Sequence, residues 1–163
     1  MRLEAGERVE RMVQGRAELR GLAEELAPHL RPGRVVALSG PMGAGKTTLV
    51  RELVDVLGLD AAQVRSPTFS LVNVYDANGR RAYHVDLYRA ESEGDLAGID
   101  LEEVLYDPEA FAFIEWPERL LARLPPGHLR VELAFAPDAG PEARRVTLEA
   151  YWGDGAARGR HLS

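Results

Sequence analysis

The chain has 163 residues, 45% hydrophobic and 28% charged, which suits a single domain around one core. It has no cysteine and a formal net charge of −6; this excludes disulfides and thiolate chemistry, and makes an unaided grip on DNA or RNA phosphates a poor fit, so any role with nucleic acid would pass through a partner. No apolar run approaches the roughly 20 residues that span a bilayer, and the N-terminal stretch MRLEAGERVERMVQGR lacks the apolar segment of a signal peptide, so the expected location is the cytoplasm, with no membrane partner.

In chain order, residues 1–16 are expected to be a loose terminus. AELRGLAEELAPHL then places Leu19, Leu22, Ala23, Leu26 and Leu30 at helical spacing, with Pro28 near the end. A turn and a short strand, Val35–Leu38, lead into a glycine loop. KTTLVRELVDVLG carries Leu49, Leu53, Val56 and Leu57 on one helical face, and Gly58 suits its C-terminal cap. Ser70–Tyr75 and Arg81–Tyr88 alternate as strands about Asn78-Gly79, a hairpin signal. The stretch ESEGDLAGIDLEEVLYD reads as short helical pieces broken by Gly94 and Gly98. AFAFI is a short central strand, and PERLLARL opens with a proline suited to a first helical position. HLRVELAFA and ARRVTLEAYW form a late strand pair, and residues 153–163 a loose tail. The expected architecture is one α/β domain over 1–163: a P-loop NTPase-like mixed sheet with flanking helices and added antiparallel hairpins.

The glycine loop carries the clearest chemistry. Gly40-Pro41-Met42-Gly43-Ala44-Gly45-Lys46-Thr47 fits G-x-x-x-x-G-K-[ST], and Thr48 follows. Glycines let the backbone curl so that successive N–H groups face phosphate oxygens, and the next helix adds its N-terminal partial charge. Lys46 can reach the outer phosphates, and the Thr47 hydroxyl can ligate Mg²⁺. Such a loop needs an acid at a neighbouring strand end to hold the metal or orient the attacking water. Asp86 and Glu115 both end strand-like runs. In SPTFS, the hydroxyl of Ser66 or Thr68 could touch Mg²⁺ or the γ-phosphate as switch loops do. His84 reads as a packed or hydrogen-bonded strand residue.

The ordered motifs GPMGAGKTTLVREL, SPTFSLVNVY, YHVDLYR and FIEWPERL resemble the bacterial TsaE (YjeE) family over roughly Leu22 to Arg145. The resemblance implies a small P-loop ATPase using ATP and Mg²⁺. It would act with TsaD and TsaB in forming the threonylcarbamoyl group on the tRNA adenosine beside the anticodon, touching tRNA only through that complex. It assigns Gly40–Thr48 to the nucleotide. Thr68 becomes a switch-like threonine, and Asp86 and Glu115 the acids at the metal and attacking water. It also assigns Trp116 to the site edge, and Arg144 or Arg145, with Arg145 placed in the binding set, to an arginine near the last strand. The catalytic set is then Lys46, Asp86 and Glu115, and the metal set Thr47, Asp86 and Glu115. Two departures from the family pattern stand out: Pro41 where an acidic residue is frequent, and Ala17 where a threonine is common. A small-molecule kinase and a non-catalytic nucleotide-gated binding module are the alternatives. The acidic stretch after Tyr88, with Arg89 alone, lacks the arginine-bearing lid of a kinase.

Overall fold

Central strands buried on both faces read as continuous apolar runs, whereas half-exposed strands alternate. Both kinds occur in the computed structural model, which describes residues 1–65 and 71–152. The strands are β1 (Arg8–Gln14), β2 (Val35–Ser39), β3 (Val72–Ala77), β4 (Arg80–Asp86), β5 (Ala110–Glu115), β6 (Leu129–Phe135) and β7 (Ala143–Ala150). They form one sheet in the order β1-β7-β6-β2-β5-β4-β3. Strands β6, β2, β5 and β4 run parallel, while β1 and β7 at one side and β3 at the other pair antiparallel. This is the mixed sheet with attached hairpins that the sequence implies. Every residue of β5 is buried, as its unbroken apolar run requires.

Helices α1 (Gly15–Leu26) and α2 (Lys46–Val56) cover one face. Their Leu19, Leu22, Leu26, Leu49 and Leu53 pack in one cluster with Leu38, Phe113, Val131 and Leu148 of the sheet. The short helices α3 (Glu93–Leu96) and α4 (Leu101–Tyr106) bury Leu96, Leu101, Val104 and Leu105 against Val35, Val85, Ala112 and Ile114 on the other face. Among the described residues, no helix is long and apolar enough to cross a membrane.

Helix α2 ends in a Schellman cap: Gly58 N–H bonds Asp55 C=O at 3.1 Å and Leu59 N–H bonds Val54 C=O at 2.9 Å. The β3–β4 hairpin turns on Asn78 and Gly79, both at positive φ (54° and 74°), as a two-residue type I′ turn demands. The sequence reading departs from the structure at two elements. Residues 8–14, expected to be loose, form β1. This edge strand has six of its seven residues exposed or half-exposed, with Val13 alone buried, so its charge-rich pattern carries no apolar alternation. Pro117–Arg123, read as a helix start, is a 3-10 run. Residues 66–70, with Ser66 and Thr68, and the tail 153–163 lie outside the described residues.

Candidate active site

Ligands of open α/β sheets bind at the C-terminal ends of the parallel strands. Here β2 leads into the glycine loop, and β4 and β5 end beside it. At Gly40 the backbone passes so close to β6 that an added Cβ would lie 2.3 Å from the Leu133 carbonyl oxygen. Only glycine fits that approach. The loop then curls back, with Ala44 N–H on Pro41 C=O at 3.1 Å, and enters α2, where Leu49 N–H bonds Gly45 C=O. Arg144 supports the loop from behind: its Nε donates to Ala44 C=O at 3.1 Å, and its guanidinium lies over the Phe135 ring.

The Lys46 ammonium folds onto its own loop, donating to Gly40 C=O at 2.5 Å and Pro41 C=O at 3.0 Å. It also sits 4.1 Å from the centre of the Trp116 ring. Burial lowers its pKa below the ordinary lysine value, against the opposing pull of the Glu115, Asp86 and Glu118 carboxylates. A phosphate entering the loop would offer this desolvated cation an anion in place of two neutral carbonyls.

Glu115 closes β5 and is 3% exposed. The Thr47 hydroxyl is 2.9 Å from each of its carboxylate oxygens. Asp86 is its register partner on β4, so the two acids stand side by side. Asp86 also accepts from Tyr88 N–H at 2.9 Å. Paired residues on neighbouring strands share a face, which puts both acids on the α2 side, with Phe113 and Leu38. Beyond Glu115 the chain turns sharply. Trp116 takes φ +57°, a left-handed backbone that is costly for a bulky residue and recurs at functional sites. The turn lays its indole against both Lys46 and Tyr88, with the Tyr88 ring 5.0 Å away. These groups line a cleft of about 330 Å³, together with Met42, Gly43, Gly45, Thr48 and Arg89.

The donor set suits Mg²⁺. It consists of a hydroxyl and two carboxylates, all hard oxygens, arranged beside the phosphate loop. Among the described residues no group of three or more His, Cys, Asp and Glu side chains is placed to hold a metal ion. A magnesium ion shared with substrate phosphates needs only one or two protein ligands.

A family model described as "Threonylcarbamoyl adenosine biosynthesis protein TsaE" matches residues 13–146. The chain belongs to the TsaE family. Its relatives include proteins named tRNA threonylcarbamoyladenosine biosynthesis protein TsaE from Bacillus subtilis and Streptomyces coelicolor. The first is 31% identical over 82% of this chain and 80% of the relative, the second 39% identical over 80% and 88%. The crystal structure of Bacillus subtilis YdiB superposes with a TM-score of 0.69 over 96% of this chain and 97% of that one. At 23% identity, that likeness speaks for the fold. Family and fold together imply nucleotide binding.

Among the residues the TsaE resemblance singles out, the structure brings Lys46, Thr47, Asp86, Glu115 and Trp116 into one cleft. Gly40 and Pro41 serve it through their carbonyls. Of the two candidate arginines, Arg144 touches the loop. Arg145 is exposed on the opposite face of β7, between Met12 of β1 and Ala134 of β6. Thr68 lies outside the described residues. Sequence reasoning missed the surroundings of Glu115. The His84 Nε2 is 2.5 Å from Glu115 Oε2, and the His84 Nδ1 is 2.9 Å from the Tyr75 hydroxyl. The signal was available: the Asn78-Gly79 turn pairs Tyr75 with Ala82, and period-2 alternation puts His84 on the same face as Asp86.

Proposed function

We propose that this chain is a Mg²⁺-dependent ATPase subunit. It would bind and hydrolyse ATP to support a TsaD–TsaB pair in forming the threonylcarbamoyl group on the tRNA adenosine beside the anticodon. A cytoplasmic site of action goes with this reading. The observation that carries it is the junction of the Thr47 hydroxyl with the Glu115 carboxylate at 2.9 Å, beside Asp86 and the phosphate loop. A buried carboxylate set on the hydroxyl that follows the loop lysine supports hydrolysis over nucleotide holding alone.

In this mechanism the loop N–H groups and the start of α2 receive the phosphates. Lys46 exchanges its carbonyl partners for phosphate oxygens, and Trp116 loses the cation from its face. Bound Mg²⁺ would be held at Thr47 with Asp86 and Glu115 nearby, and would neutralise charge on the outer phosphates. Glu115 accepts a hydrogen bond from the attacking water and aligns it. The relatives' printed names tie the family to tRNA threonylcarbamoyladenosine biosynthesis. The net charge of −6 fits a protein that meets tRNA through partners.

Phosphate release, measured with the chain alone, with a TsaD–TsaB pair, and with a panel of small-molecule acceptors, tests the reading. The expected result is slow release alone and faster release with the pair. Phosphate transferred to a metabolite, or no hydrolysis under any condition, would overturn it.

A further inference from the structure

The Glu115 carboxylate is held from two sides, and its protein-side holder is part of a directed chain of hydrogen bonds across three adjacent strands. Thr47 approaches from α2. From β4, the fully buried His84 places Nε2 2.5 Å from Oε2. On the far side of the imidazole, Nδ1 faces the Tyr75 hydroxyl of β3 at 2.9 Å. Asn73 Nδ2 is 3.5 Å from the same Tyr75 oxygen and donates to the Arg65 carbonyl at 3.2 Å.

Each link has a required direction. A carboxylate only accepts, so Nε2 must carry a hydrogen. The Asn73 amide N only donates, so the Tyr75 oxygen accepts from it and its own hydrogen is left for His84 Nδ1. Burial raises the Tyr75 pKa above the ordinary phenol value and keeps that hydrogen in place, despite the donors facing the oxygen from Asn73 and Arg65. The imidazole therefore donates from Nε2 to Glu115 and accepts at Nδ1 from Tyr75.

We infer that His84 is the positioning residue of this site: Tyr75 holds the imidazole by donating to its Nδ1, and its Nε2–H fixes one oxygen of Glu115 so that the carboxylate meets the attacking water in a single orientation. His84 touches neither nucleotide nor water and acts through Glu115. The inference rests on the ATPase reading above. Its physical basis is that a reacting group is only as well placed as the hydrogen bonds that lock its rotamer.

The test has two readouts on the full chain. In nucleotide-free protein, nitrogen NMR of the histidine side chains should show a hydrogen on His84 Nε2, and Tyr75→Phe should shift the Nδ1 signal, which loses its hydrogen-bond donor, while Nε2 keeps its hydrogen. In single-turnover hydrolysis, His84→Leu should slow the chemical step by roughly 10- to 100-fold, the scale for losing a partner that orients a site ligand, with ATP affinity unchanged. His84→Gln should recover most of the rate, because the glutamine Nε2 can occupy the position of the imidazole Nε2. Tyr75→Phe should be intermediate, and together with His84→Gln carries the test if His84→Leu does not fold. A His84 without a hydrogen on Nε2, a His84→Leu rate equal to wild type, or a His84→Gln rate as low as that of His84→Leu would each overturn the inference alone. A wild-type chain that hydrolyses no ATP would overturn the ATPase reading and this role with it.

Discussion

Lys46, Asp86 and Trp116 each sit in a state that nucleotide should change. The Lys46 ammonium is stored on loop carbonyls and on the face of Trp116, so phosphate binding should draw the cation off the indole and change its emission. Trp152 should stay quiet. It is buried, donates Nε1–H to Leu3 C=O, stacks with His29 and carries the Arg34 guanidinium over its ring, away from the cleft. Titrating ATP into Trp116→Phe and Trp152→Phe separates the two. The response should vanish with the first and survive in the second, and the reverse result would place the sensing indole elsewhere. Asp86 stands beside Glu115 as a hard oxygen donor. Asp86→Asn should raise the Mg²⁺ concentration needed for hydrolysis while leaving metal-free ADP binding nearly intact. Equal Mg²⁺ dependence in variant and wild type would reduce Asp86 to its turn contact with Tyr88 N–H.

At the scale of elements, the phosphate loop is only as rigid as the helix that follows it. Helix α2 is tied to α1 by a charged knot. Buried Glu52 accepts from Arg16 Nε at 2.8 Å and from Arg20 at 3.2 Å, and Arg20 also pairs with Asp55. Burial raises the Glu52 pKa, but the hydrogen bonds and charges of Arg16 and Arg20 outweigh it and leave the carboxyl below its ordinary range. A depressed folded-state pKa means that the stabilisation is present above the unfolded value and is lost as pH falls through the folded one. Glu52→Gln should therefore lower Tm at neutral pH, and the gap to wild type should close as pH falls below the ordinary glutamate range and through the depressed folded-state value. A gap independent of pH would assign the loss to packing instead. The elements also show where sequence reading stops. Helices α1 and α2, the Asn78-Gly79 hairpin and the phosphate loop were legible because each is specified by contiguous residues with a fixed period or turn chemistry. Strand β1 was not, because Val13 alone is fully buried in this edge strand and the charged residues around it leave no apolar alternation. The His84–Tyr75 link needed the hairpin register, and the choice between Arg144 and Arg145 needed to know which face of β7 meets the loop.

Across the whole molecule, the sheet order gathers the chemistry. Strands β2, β5 and β4 lie side by side and parallel, so the loop after β2 and the acids ending β5 and β4 meet at one edge although 46 and 115 are far apart in sequence. The apolar residues of β5 are the anchor: Phe113 and Ile114 are fully buried on opposite faces, which fixes Glu115 on a rigid element. In the proposed function, this fixed carboxylate drives hydrolysis. Glu115→Gln keeps the shape and removes the charge. Single-turnover hydrolysis of ATP by this variant, with a TsaD–TsaB pair present, tests that role. The expected result is ATP binding close to wild type, a hydrolysis rate lower by roughly 10²-fold or more, and accumulation of an ATP-bound complex with the pair. Near-normal turnover in Glu115→Gln would contradict it and leave Glu115 as the residue that ends a strand.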